Sequence, residues 1–148
     1  MATFTKIADF IEAAMEKSHN LASDTLQIAL SNTAPASETS DPTATGNGIL
    51  ANVTQISYTN YTDDMTVDRV LEGVTSGESG GTYTLDANNI VITASGGALA
   101  TFRYIYVFNN TATNDELIAV WDHGSGITLS DGDSATITWN ASGLFTIT

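Results

Sequence analysis

A chain of 148 residues makes about one domain, and its 17 acidic against 4 basic residues give a formal net charge of −13. At this length folding buries roughly two-thirds of the unfolded surface, so one real core is possible, while the acidic field excludes phosphate backbones and anionic bilayers as partners. There is no cysteine, which rules out a disulfide framework and a thiolate metal site.

Charged residues are only 14% of the chain while the hydrophobic share is 42%, so Thr, Ser, Asn and Gly supply the polarity. β-branched Thr suits a strand surface, and Gly and Asn suit turns. The expected class is therefore mainly β: an antiparallel β-sandwich or barrel-like domain with one short N-terminal α-helix, forming a single domain over 1–148. The N-terminus carries charges every few residues and no stretch approaches a continuous apolar span, so neither a signal peptide nor a membrane segment is expected. Four sequons, at Asn52, Asn60, Asn109 and Asn140, are read as by-products of an Asn/Thr-rich composition.

In chain order, Phe4, Ile7, Ala8, Ile11, Ala14 and Met15 fall on one helical face, which predicts a helix over about 4–18. Thr3 or Thr5 would cap its start, and His19-Asn20 would end it, with His19 placed against the helix dipole. From Asp24 the period changes to two: Leu26, Ile28 and Leu30 alternate with Thr25, Gln27 and Ala29, a strand with one buried face. Residues 31–48 hold both prolines and little apolar bulk, and read as a long surface loop or arm. The β body, about 49–148, follows with strands expected at 49–57, 66–74, 82–85 and 90–94, separated by turn clusters such as SGESGG and DANN. Phe102–Phe108 and Leu117–Trp121 are largely apolar on both alternating faces, so they should be central, covered on both sides and paired across NNTATND. Three meander strands, 127–129, 134–139 and 144–148, should close the chain around turns at Asp131-Gly132 and Asn140–Gly143.

Few motifs carry chemistry. Asp122-His123-Gly124-Ser125 sets a carboxylate, an imidazole and a hydroxyl side by side, yet triad members must converge in space and the serine has no G-x-S-x-G elbow. The expected reading is a polar strand end turning at Gly124 and Gly126, and no catalytic residue is assigned. Asp131 with Asp133, and Asp63 with Asp64, are carboxylate pairs in turns and are the candidate Ca²⁺ ligands; calcium wants 6–8 oxygens, and turns favour Asp for their own reasons. No metal or cofactor is therefore expected, and the two histidines, His19 and His123, make a poor zinc set. Arg103 interrupts an apolar strand and needs a partner, for which Asp122 on the neighbouring strand is the first choice. Tyr58, Tyr61 and Tyr83 lie near polar turns, where exposed rings stack on sugars or serve protein interfaces. Together with Pro35, Glu38, Asp41 and Pro42 of the long loop, Tyr58 and Tyr61 are the candidate partner-binding residues.

Two segments, KIADFIEAAMEKSHNLASDTLQIALSNTAP at 6–35 and ASGGALATFRYIYVFNNTATNDELIAVWDHGSGITLSDGDSATITW at 94–139, resemble a family of small virion proteins of tailed phages. The resemblance covers most of the chain and includes no catalytic signature; the insertion ETSDPTATGNG is longer than the family pattern. It implies a non-enzymatic virion protein, either a capsid decoration (cement) protein or a tail-associated one; the exposed tyrosines and acidic turns extend the second reading to a tail or fibre component that binds glycans. The implied partners are the major capsid protein or other virion proteins, and further copies of the chain.

Overall fold

The structure is a computed structural model that describes residues 2–35, 48–61 and 69–148. Glu38, Asp41, Pro42, Asp63 and Asp64, most of the 31–48 loop and residues 66–68 of the expected strand at 66–74 lie outside the described residues; over 69–74 that strand does not form, and Val70 makes only a single bridge to Gln27. What is described is mainly β, 45% strand against 7% helix, with antiparallel pairing throughout and one short α-helix.

The main sheet has the order β1-β7-β6-β2, made of β1 (Thr3–Lys6), β2 (Leu26–Ser31), β6 (Phe102–Asn109) and β7 (Leu117–Ile127). β6, the sequence FRYIYVFN, sits between two hydrogen-bonded neighbours and is buried along nearly its whole length, as its two apolar faces require. β7 joins it across the NNTATND turn, pairing Val107 with Ala119 and Ile105 with Trp121. Burial of this aromatic and β-branched pair supplies the largest continuous part of the core, in which Tyr106, Phe102, Phe108, Leu117 and Ile118 are all but sealed from solvent.

A second layer packs on one face of that sheet. β3 (Thr75–Ser79), β4 (Thr82–Asp86) and β9 (Phe145–Ile147) form a three-stranded sheet, and β5 (Ile90–Thr93) pairs with β8 (Ser134–Ile137). Aromatic contacts join the layers: Phe4 stacks on Phe145 at 6.3 Å and Trp121 meets Trp139 at 5.1 Å between ring centres. The arrangement is sandwich-like.

Several expectations change. Residues 3–6 form an edge strand instead of the first helical turn, and α1 spans only Phe10–Met15. Thr3, Phe4 and Thr5 are good strand formers, and β7 offers them a ladder from Asp122 to Ala119, which overrides a helical period that happened to include Phe4. α1 then stops before His19 because Lys17 turns left-handed (φ 67°), with Ser18 N–H bonded to the Ala13 carbonyl at 2.8 Å and Lys17 N–H to Ala14 at 3.4 Å. That is the Schellman closure with lysine where glycine is usual. In β2 both faces are buried, not one, and backbone bonds to Arg69, Leu71 and Ile56 occupy its outer edge. The SGESGG segment expected as a turn contains β3, which joins β4 through Gly80 and Gly81, both at positive φ, as a two-residue hairpin demands. The expected strand at 49–57 is a short 3₁₀ turn at Leu50–Asn52 flanked by single bridges. Finally, the C-terminal strands are no meander: Ile127 ends β7, β8 pairs with β5 and β9 with β4.

Candidate functional site

The DHGSG run lies where β6 and β7 lose register. Tyr104 pairs with Asp122, but Phe102 pairs with Ile127, so His123–Gly126 bulge out of the ladder. Three interactions hold the bulge. Arg103 donates from Nε and Nη2 to the two Asp122 carboxylate oxygens at 2.7 and 2.8 Å, the pairing expected from the sequence. Gly124 N–H donates to Asp122 Oδ1 at 2.7 Å, with Gly124 at φ 91°, where a side chain is strained. His123 Nδ1 lies 3.0 Å from the Ser125 carbonyl, so in the neutral ring Nδ1 carries the proton and Nε2 is left as an acceptor.

The fork-to-carboxylate bond, helped by the Gly124 amide, holds the Asp122 carboxyl at about 2, below the usual 3.8. Arg103 and Asp122 are 38% and 34% exposed, so water screens the pair and its main effect is geometric. This arrangement does not assemble a triad. Asp122 is turned onto Arg103 and Gly124, His123 faces the backbone of Ser125, and Ser125 Oγ is 3.5 Å from His123 Nδ1 on an exposed loop.

Beside this bulge β7 contributes Trp121, His123 and Ile127 to the lining of an open space. A cavity of about 350 Å³ opens there, floored by Phe102, Ile105, Trp121 and Ile127, walled by Ala135, Ile137 and Trp139, and edged by Ala2, His123, Thr136 and Thr138. Its aromatic walls are braced. Trp139 Nε1 donates to the Asn88 carbonyl at 2.9 Å, and Trp121 is packed between Trp139 and Phe4.

The other sequence candidates are scattered. Pro35, half-buried, lies with Ala34 over Tyr104, Val120 and Asp122 in a shallow depression on the main sheet. Tyr61 is 7% exposed and bridges to Ala94, so it is a core ring, not a surface one. Tyr58 is half-buried beneath the Arg69 guanidinium at 4.5 Å; its hydroxyl accepts from Leu30 N–H at 2.8 Å and donates to Gln55 Oε1 at 2.9 Å. Burial pushes that phenol above its ordinary value. Tyr58 braces the outer edge of β2, and Tyr61 packs edge-on against Tyr58 at 5.9 Å between ring centres. Asp131 and Asp133 accept from the Gly96 and Ser130 amides at 2.8 and 3.0 Å, and among the described residues no three His, Cys, Asp or Glu side chains gather at one point.

Sequence reasoning missed a buried polar cluster under the β6–β7 turn. Asn109 Nδ2 donates to Asp24 Oδ2 at 2.6 Å and to His19 Nδ1 at 3.1 Å, while its Oδ1 accepts from Thr111 and Ala112 N–H. The four partners fix the amide's orientation, so His19 Nδ1 must accept and Nε2 must carry the proton. That Nε2 is buried with no partner. Desolvation lowers the His19 pKa, against the pull of Glu116, Asp24 and Asp9. Asn109 lies 90 residues from His19 and 85 from Asp24, so no local signal marked the cluster. Comparison with protein-family models, curated proteins and solved structures found no match for this chain.

Proposed function

We propose that the chain is a non-enzymatic structural protein of a tailed-phage virion, a capsid decoration (cement) protein seated on the outside of the major capsid shell. The observation that carries the reading is where the two resemblance-bearing segments fall. Residues 6–35 and 94–139 contribute β2, β6 and β7, three adjacent strands of the main sheet, together with α1. The shared pattern therefore belongs to one packed unit and is not a composite of surface turns.

Charge favours the outer surface of a shell, since a body at −13 is repelled by packaged DNA if it faces inward. A disulfide-free core stands alone outside the cell, and β1, at the margin of the main sheet with all four residues exposed, offers an edge for a partner strand. The tail- or fibre-associated reading with sugar binding drew on exposed tyrosines and acidic turns; Tyr61 is buried and Tyr58 and Tyr83 are half-buried, so the tyrosines lend it less than the sequence suggested.

The test is addition of purified protein to undecorated heads and to isolated tails, followed by sedimentation and imaging. Saturable binding to heads is the expected result. A shortened chain lacking Ser37–Thr45 should keep its melting temperature but be retained less, because a repeated shell multiplies modest contacts per copy. Binding to tails alone, or to neither, rejects the decoration reading.

A further inference from the structure

We propose that the cavity beneath the β7 bulge is a binding site for an uncharged ring-bearing alcohol or phenol. The cavity lies against a pinned bulge: Trp121, His123 and Ile127 of β7 line it, and Asp122 holds the bulge through Arg103 and Gly124. Bulges held in this way re-aim side chains and open sheets beside sites. The walls cannot readily collapse inward, because Trp121 is wedged between Phe4 and Trp139 and Trp139 is tied to Asn88.

Three observations define the occupant. The volume, about 350 Å³, lies at the low end of ligand pockets, which run from roughly 300 to 1,000 Å³, and suits one or two rings. The floor and walls are aromatic and aliphatic, and no carboxylate or cationic side chain lines them, so an ion of either sign would lose its hydration without a partner. An anion would also enter against the chain's net charge of −13. Polar side chains among the lining are His123, Thr136 and Thr138. His123 spends Nδ1 on the Ser125 carbonyl, which leaves Nε2 to accept a hydrogen bond from a ligand hydroxyl, with Thr136 and Thr138 beside it.

The probe is p-cresol, titrated into the full chain while the Trp121 and Trp139 indole N–H signals are followed by NMR, with toluene and 4-methylbenzoate as matched controls. The expected result is saturable shifts of both indoles with a dissociation constant of about 1 mM or tighter, on the order of what eight non-hydrogen atoms allow. Toluene should bind more weakly by about 2- to 10-fold, the range for one net hydrogen bond, and the benzoate should not bind. His123→Ala should abolish the difference between p-cresol and toluene. Ala135→Leu, which extends a wall residue into the space, should abolish binding altogether; if that variant does not fold, contacts between the cresol methyl and Ile127 or Trp121 in the unaltered protein decide the location. Absence of indole shifts at about 10 mM cresol, equal binding of the benzoate, or undiminished binding by a folded Ala135→Leu protein overturns the proposal.

Discussion

Asn109 is the residue whose removal should expose how the β6–β7 turn is fastened to the rest of the molecule. It is fully buried, and its side chain links the turn to Asp24 and His19 in the connection between α1 and β2. In Asn109→Ala the half-buried bond to Asp24 is lost, worth about 1.5 kcal/mol for a charged acceptor, and His19 Nδ1 is orphaned inside the protein at a cost of about 1–3 kcal/mol. The Thr111 and Ala112 amides sit in an open turn and rehydrate, so they add little. The expected destabilisation is therefore about 3–4 kcal/mol, or roughly 10 °C in melting temperature at this chain length. Urea unfolding followed by circular dichroism measures it, with Asn110→Ala as the control, since Asn110 is exposed and should change stability by no more than about 0.5 kcal/mol. Equal, small losses for the two alanine variants would refute the argument that the cluster fastens the turn.

Stability should fall on acidification through His19. Its pKa is lowered in the folded state from 6.5, so the unfolded chain binds the proton more tightly; the contribution is complete above 6.5 and declines as pH drops from there toward the lowered value. Urea midpoints between pH 7 and about 5 should therefore fall more steeply in the unaltered protein than in His19→Gln, and parallel curves would contradict the assignment. Lys17→Gly should raise stability by about 0.5–1 kcal/mol, because glycine takes the left-handed C-terminal position of α1 without a Cβ penalty; a lower melting temperature would show that the Lys17 side chain contributes more than its backbone costs. The amides of β6 should be the slowest to exchange, since both of its edges are paired, and faster exchange there than in β3 would misplace the core.

The central strand pair was legible because its signal is doubled. Phe102–Phe108 and Leu117–Trp121 are apolar on both faces, a pattern only a covered strand satisfies, and the one cation inside the pair had one carboxylate within reach on the next strand. β3 was illegible for the converse reason: TSGES is exposed along most of its length, so no alternation marks it and only its Gly-Gly turn declares it. A period of two fixes which face a residue occupies, but not which strand it pairs with. For that reason the expected local meander gave way to β8 on β5 and β9 on β4, across more than forty residues of chain.

The DHGSG run shows the same division between composition and geometry. Its acid and base are adjacent in sequence, and adjacency on a strand sends Asp122 and His123 to opposite faces, which separates two groups a triad must join. What the run does instead depends on Gly124 adopting a left-handed conformation and on Arg103 lying across the ladder. The second of these lies outside the motif. The chemistry of these residues was therefore readable one at a time, while their use, as a pinned bulge over an apolar cavity, follows only once β6 and β7 are set in register.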